Sequence, residues 1–219
     1  MVFTMWQFLA PIHKAGWPFV AIFAVGTFLL SLMSSFLGIV GVGLTLWCIY
    51  FFRDPERVTP QDSQVVVSPA DGYVSMITKA VPPQELRWQE GELTRVSIFL
   101  NVFDVHVNRI PVSGKIIKAH YYPGKFFNAS LDKASEFNER NSLVIKTEGG
   151  QEILVVQIAG LIARRILCEA KDGDDVKAGD RYGIIRFGSR TDIYLPKGVD
   201  SQVLVGQYMI GGETVIARL

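Results

Sequence analysis

The chain has 219 residues, nearly balanced charge (22 Lys and Arg against 21 Asp and Glu, net +1), two cysteines and three histidines. That length holds one ordinary domain plus a small appendage, and the scattered basic residues argue against a nucleic-acid surface. Two cysteines make no disulfide framework, so Cys48 and Cys168 read as reduced, buried small side chains, and His13, His106 and His120 lack the spacing of metal ligands.

Residues 15–52 contain no charged side chain. A single helix of that length would be nearly twice the roughly 30 Å hydrocarbon thickness. The run Ser31-Leu32-Met33-Ser34-Ser35, followed by Gly38, Gly41 and Gly43, offers a break. The pattern therefore predicts two short helices, 17–33 and 36–52, folded as a hairpin. Each is at the lower limit for a full span, so a hairpin embedded in one leaflet is left open. His13 and Lys14 before the hairpin, and Arg53 and Arg57 after it, put both ends on the cytoplasmic side. Trp6, Trp17 and Trp47 suit interfacial depth, and no small-residue cleavage site ends the stretch as in a secretory signal. The expectation is a membrane-anchoring hairpin over 1–52 and a second domain over 53–219, held at the cytoplasmic face of the cell membrane. The bland alternative is a buried hairpin of a soluble protein.

A charged, proline-bracketed linker, Arg53-Asp54-Pro55-Glu56-Arg57-Val58-Thr59-Pro60, follows. Beyond it, short β-type runs at 64–67, 73–77, 95–100, 114–120, 142–147, 152–158, 161–167, 182–187, 190–195 and 213–219 are separated by glycine, proline and acidic turns. Only 129–138 has a weak helical pattern. The expected fold is mainly β, a barrel or sandwich of many short strands. No nucleotide-binding glycine pattern is present, which leaves no basis for a nucleotide cofactor.

Three motifs stand in order in this domain: Ser68-Pro69-Ala70-Asp71-Gly72, then Asn101-Val102-Phe103-Asp104-Val105-His106-Val107-Asn108-Arg109-Ile110-Pro111, then Ile185-Arg186-Phe187-Gly188-Ser189-Arg190-Thr191-Asp192. A Gly-Ser pair between two strands is by itself a turn. A serine hydroxyl can also attack the preceding carbonyl, and Gly188 would remove side-chain obstruction there. The candidate bases are Asp71 and His106. Asp71 also suits a turn before Gly72. His106 lies in an alternating stretch that places it on the opposite strand face from Val105 and Val107, where it would serve as a hydrogen-bonded partner of Asp104 or as a proton carrier near neutral pH.

Together these motifs resemble the phosphatidylserine decarboxylase family, from about Arg53 to the C-terminus, and in length and wording its short bacterial and archaeal branch. The resemblance implies a proenzyme that cuts itself between Gly188 and Ser189 into a large and a small subunit. It implies a pyruvoyl group made from Ser189 as the covalent cofactor, which forms a Schiff base with phosphatidylserine and releases phosphatidylethanolamine and carbon dioxide. By the same resemblance Asp71 serves self-cleavage, and His106 returns a proton to carbon after decarboxylation. One departure is Arg109, standing where longer members carry a second histidine. A guanidinium cannot act as a general base, so the choice of processing base between Asp71 and His106 is left open.

The family likeness also places Phe126, Phe127, Asn138, Glu139 and Arg140 at the border of the site, for acyl chains and an anionic head group. Of the pair Arg164-Arg165, at most one would serve the same end. The implied partners are phosphatidylserine and membrane lipid, with no metal, and a homodimer is left open. The same chemistry on an archaeal-type serine ether lipid is an alternative. A second likeness, of Pro69-Ala70-Asp71-Gly72-Tyr73-Val74 and Asp175-Val176-Lys177-Ala178-Gly179-Asp180 to lipoyl and biotinyl carrier turns, supplies a rival: a non-catalytic, membrane-tethered adaptor barrel. That rival leaves the His106 and Ser189 segments without a purpose.

Overall fold

The computed structural model describes residues 10–89, 91–125, 137–160, 165–186 and 189–219. The chain divides into two compact units, residues 1–56 and 57–219.

In the first unit a 3-10 turn (Lys14–Gly16) leads into α1 (Trp17–Met33), and α2 (Ser35–Phe51) follows after one extended residue, Ser34. The Ser34 hydroxyl accepts a hydrogen bond from the Phe36 N–H at 3.2 Å, capping α2 where the chain reverses. Small residues let the two helices approach closely. A Cβ on Gly38 would lie 2.9 Å from Ser31 Cβ, and one on Gly41 would lie 2.8 Å from Thr27 Oγ1. The Thr27 and Thr45 hydroxyls meet across this seam at 2.9 Å. Outward-facing Ile22, Val25, Phe28, Leu29 and Leu32 are exposed. By length and composition Lys14–Met33 is long and apolar enough to cross a membrane, while Ser35–Phe51 is shorter.

The second unit is built from curled antiparallel sheets that form a half-barrel. The largest has eight strands in the order β12-β2-β3-β11-β7-β6-β5-β9. Its central members are β2 (Gly72–Ala80), β3 (Leu93–Leu100), β11 (Ser189–Leu195), β7 (Glu152–Ala159), β6 (Arg140–Lys146) and β5 (Gly114–Tyr122), and short β12 (Tyr208–Met209) and β9 (Asp175–Val176) close the two edges. A three-stranded sheet joins β4 (Val107–Arg109), β10 (Arg181–Ile185) and β8 (Ile166–Cys168), and β1 (Val65–Val67) pairs with β13 (Val215–Arg218).

Both faces of the large sheet are covered. Val96, Ile98, Leu100, Leu143, Ile145, Ile153, Val155, Ile193 and Leu195 fill the inner core. The alternate positions Val144, Leu154, Val156, Ile158 and Tyr194 pack on the outer face against Leu86 and Trp88. Burial on two faces explains why these strands read as nearly continuous apolar runs rather than clean alternation. His106 differs from the expected strand position in one respect: it lies just before β4, in a segment where Val105, His106 and Val107 are all buried.

Gly72 shows how tightly the sheet closes beside Asp71. Its φ is +139°, and a Cβ there would lie 2.2 Å from the Phe99 carbonyl oxygen. Gly72→Ala is expected to cost on the order of 3 kcal/mol or more, combining backbone strain with a backbone clash. Chemical denaturation followed by near-ultraviolet circular dichroism would read this loss.

Candidate active site

Ser189 opens β11, the strand hydrogen-bonded to β3 on one side and β7 on the other, with Leu100 and Ala159 as its lateral neighbours. Between Ile185 and Ser189 the chain leaves the three-stranded sheet and enters the eight-stranded one. Gly188, Phe126, Phe127 and Arg164 lie outside the described residues, as does nearly all of the helix expected over 129–138. Ser189 is fully buried, and its hydroxyl has no hydrogen-bond partner among the described residues. A buried hydroxyl left unsatisfied costs about 1–3 kcal/mol, so its presence at this position calls for a reason.

On the β3 side, the chain turns through 101–104. The Asp104 carboxylate accepts hydrogen bonds from the Asn101 N–H at 2.8 Å and the Tyr208 hydroxyl at 2.9 Å. The Asp104 carbonyl oxygen lies 3.0 Å from His106 Nδ1. A carbonyl can only accept, so Nδ1 carries the proton in this contact. His106 is fully buried, and its own carbonyl accepts from the Ile185 N–H at 3.3 Å, a residue just upstream of Ser189. The histidine is thus a hydrogen-bonded partner of Asp104, as expected, through the Asp104 backbone carbonyl.

Asp71 reaches the same end of the sheet because Gly72 packs on the Phe99–Leu100 backbone, next to Ser189's neighbour. Both of its oxygens accept from Arg57 Nη2, at 2.9 and 2.8 Å, and Oδ1 also accepts from the Gly211 N–H at 2.8 Å. This pair is buried, with side-chain exposures of 5% for Arg57 and 7% for Asp71. Arg57 packs with the β unit through this pair.

On the β7 side, Ala159 donates to the Glu139 carbonyl at 2.9 Å and accepts from Asn138 Nδ2 at 2.7 Å. Glu139 Oε1 accepts from the Ile166 N–H at 3.0 Å. Asn138 and Glu139 thus flank Ser189 through Ala159. Arg140 is on the other face of the sheet, since it pairs with Ile158, which pairs with Arg190. Its guanidinium holds Glu85 through two 2.7 Å hydrogen bonds and lies 3.9 Å over the Tyr122 ring. Burial pushes the Glu85 carboxyl up, but the hydrogen bond and charge of Arg140, with the Ser142 hydroxyl, bring it below the ordinary range overall.

Behind Ser189 lies a chain of buried amides absent from the sequence reading. Gln157 Nε2 donates to Asn108 Oδ1 at 2.8 Å, Asn141 Nδ2 donates to Gln157 Oε1 at 3.3 Å, and Asn108 Nδ2 donates to Thr191 Oγ1 at 3.4 Å. Gln157 inside the apolar run Ile153-Leu154-Val155-Val156-Gln157-Ile158 was the available signal. Arg109, which replaces a second family histidine, donates from Nη1 to the Gly179 carbonyl at 3.1 Å. A cleft of about 680 Å³ adjoins this end, lined in part by Tyr121, Asn141, Arg165, Ile166, Cys168 and Lys171. Burial raises the Cys168 thiol above its usual pKa, which leaves it protonated and poorly nucleophilic.

A buried serine at the head of a central strand, with a histidine and an aspartate converging on the same sheet end, defines the architecture of a β-fold enzyme. Sequence comparison names the family. Residues 44–217 match the profile of the phosphatidylserine decarboxylase family. A phosphatidylserine decarboxylase proenzyme of Ruegeria pomeroyi is 60% identical over 212 residues, covering 97% of each chain. The proteins of that name from Rickettsia akari and Rickettsia felis are 58% and 57% identical over 206 residues, covering 94% of this chain and 89% of each relative. The chain belongs to the phosphatidylserine decarboxylase family.

Glu85→Gln is expected to destabilise the fold by about 3–5 kcal/mol near neutral pH, because the buried Arg140 would lose the carboxylate it holds through two hydrogen bonds. The Glu85 pKa is depressed in the folded state, so its contribution is present above its unfolded pKa of about 4.3 and is lost as pH falls through the lower folded value. Urea unfolding of both proteins should show the difference shrinking as pH drops below about 4.

Proposed function

We propose that this protein is a membrane-anchored, self-processing decarboxylase that converts phosphatidylserine to phosphatidylethanolamine and carbon dioxide. The observation that carries the reading is the buried Ser189 hydroxyl directly after Gly188, without a hydrogen-bond partner among the described residues, in a chain closely related to proteins named as proenzymes. The site fits a pyruvoyl group made from this serine, because the hydroxyl consumed in making it is the one that nothing among the described residues engages.

In the first reaction the Ser189 Oγ attacks the Gly188 carbonyl, and the peptide becomes an ester by an N-to-O acyl shift. Loss of the Ser189 α-proton expels the Gly188 carboxylate and leaves dehydroalanine. Addition of water and release of ammonia then give the pyruvoyl end of a small subunit, while the large subunit ends at Gly188. Asp71, held by Arg57 and the Gly211 N–H, is assigned to taking the hydroxyl proton. The pyruvoyl group supplies a ketone that takes up the substrate amine and accepts the electron pair left by carbon dioxide. His106, positioned through Nδ1, is assigned to returning a proton to the substrate carbon. Asn138 and Glu139 border this space through Ala159.

The exposed apolar side chains of α1 support anchoring in a bilayer, and the basic residues on either side of the hairpin support a cytoplasmic catalytic unit at the cell membrane. The substrate would then be drawn from the lipid that surrounds the anchor.

Mass spectrometry of the purified protein tests the first step: two fragments divided between Gly188 and Ser189 are expected. Ser189→Ala should give a single uncut, inactive chain. Active wild-type protein with only an intact mass would overturn the self-cleavage reading.

The two acid–base groups should separate on a denaturing gel run beside an assay of released carbon dioxide. Asp71→Asn should accumulate precursor. His106→Ala should still cleave but lose on the order of a hundredfold or more in turnover. A complete block of cleavage in His106→Ala would transfer the processing role to the histidine.

A further inference from the structure

Residues 201–212 form a second stretch without a charged side chain, and its tip presents aliphatic groups to solvent. Leu204 is 75% exposed and Val205 61%, on a tight turn in which the Gln207 N–H donates to the Leu204 carbonyl at 3.1 Å. Gly206, at φ +87°, lets the turn close. The turn is held in place. The Gly206 N–H donates to the Val74 carbonyl at 2.8 Å, the Val74 N–H donates to the Gln207 carbonyl at 2.9 Å, and the Gln207 side chain accepts from the Leu204 N–H at 3.1 Å. A rigid turn that offers two adjacent aliphatic side chains to water contributes nothing to the folded core through them.

The neighbours extend the patch toward the site. Tyr73, 46% exposed, packs edge-on against Tyr208 with ring centroids 4.9 Å apart. Tyr208, Tyr73 and Phe99 are successive lateral partners, so they share one face of the sheet; the next partner along that row is Arg190, the chain neighbour of Ser189, whose own side chain is on the opposite face at the same sheet end. The Tyr208 hydroxyl bonds the carboxylate of Asp104, whose carbonyl orients His106. Phe103, 60% exposed, precedes Asp104 in the same turn. The patch thus adjoins the end of the sheet where Ser189, His106 and Asp71 converge.

We infer that the Leu204–Val205 turn, with Tyr73, Tyr208 and Phe103, is a lipid-contacting surface of the catalytic unit that inserts among phospholipid head groups. The inference rests on the proposed lipid substrate. Three observations select a bilayer over a protein partner. The stretch carries no charge over its whole length, the patch around it includes two tyrosines, Tyr73 and Tyr208, with the apolar body and polar tip suited to interfacial depth, and Arg57 follows the apolar hairpin by five peptide steps, roughly 18 Å of chain at most. Lipid contact here would bring the serine head group to the sheet end that holds Ser189, without the lipid having to leave the bilayer fully.

The test uses the full chain reconstituted in phosphatidylcholine vesicles with brominated acyl chains. A bimane fluorophore is placed by Leu204→Cys, and by Glu148→Cys as an exposed control at the far end of β6, in a Cys48→Ser, Cys168→Ser background. Quenching and a blue shift are expected at 204 and not at 148. No quenching at 204, or a blue shift without quenching that grows with protein concentration as a second copy covers the turn, would overturn the inference. In parallel, the double variant L204D/V205D should cleave itself normally and keep its rate on monomeric short-chain phosphatidylserine, yet lose about tenfold or more on vesicles containing long-chain phosphatidylserine. Equal loss on both substrates would overturn the docking role. Wild-type protein inactive on either substrate would refute the proposed activity instead, while the quenching result would stand on its own.

Discussion

The lateral clamp on β11 is the constraint from which the site follows. Ser189 has a paired strand on each side, and the register continues without a shift to Leu195 against β3. Because side chains alternate along a strand, a slip of one residue would send Ser189 to the outer face and Arg190 into the apolar core. Arg190 and Asp192 resist such a slip. They are buried on the outer face, with Arg190 Nε 2.9 Å from Asp192 Oδ1, and moving that ion pair into the inner core would strand charges at several kcal/mol each. The sequence Ser189-Arg190-Thr191-Asp192 therefore encodes the register chemically, with small hydroxyls inward and a compensated ion pair outward.

A second constraint ties the sheets together at the same level. Asn108 belongs to β4 in the small sheet, while Gln157 and Thr191 belong to β7 and β11 in the large one. Hydrogen bonds among buried amides are directional, and an unmet partner is penalised, so this chain fixes β4 against the large sheet more tightly than apolar packing alone would. His106 is two residues before Asn108. Its placement relative to Ser189 is set by that junction together with its own hydrogen bonds to Asp104 and Ile185.

Much of this was legible in the sequence, for reasons tied to particular residues. The charge-free stretch broken at Ser34 gave helices within a residue of those observed, because hydropathy and a capping serine act locally. The long strands were legible because two-sided burial selects continuous β-branched and aliphatic runs. Strands of two or three residues, such as β8, β9 and β12, have too few positions to show a period. The partners of the site residues were the hidden part. Arg57 to Asp71, Glu85 to Arg140 and Tyr208 to Asp104 join residues separated by 14, 55 and 104 positions. No spacing rule relates such pairs, and only the closed sheet brings them together.

A serine hydroxyl that no described residue engages makes physical sense when the precursor is not the working state. A buried hydroxyl without a partner is a standing cost of about 1–3 kcal/mol, and a protein selected only for the stability of its uncut form would meet it with one of the nearby polar groups. Here those groups are turned to other work: Asn138 to the Ala159 carbonyl, Asn108 to Gln157 and Thr191, His106 to the Asp104 carbonyl. In the proposed chemistry the hydroxyl is consumed once, and the penalty disappears with it. A polar partner that satisfied Ser189 in the precursor would lower the energy of the uncut serine and raise the barrier to its attack on Gly188. It would then remain beside the finished cofactor with nothing to bond. Such an arrangement would suit the group that the serine becomes in the proposed chemistry.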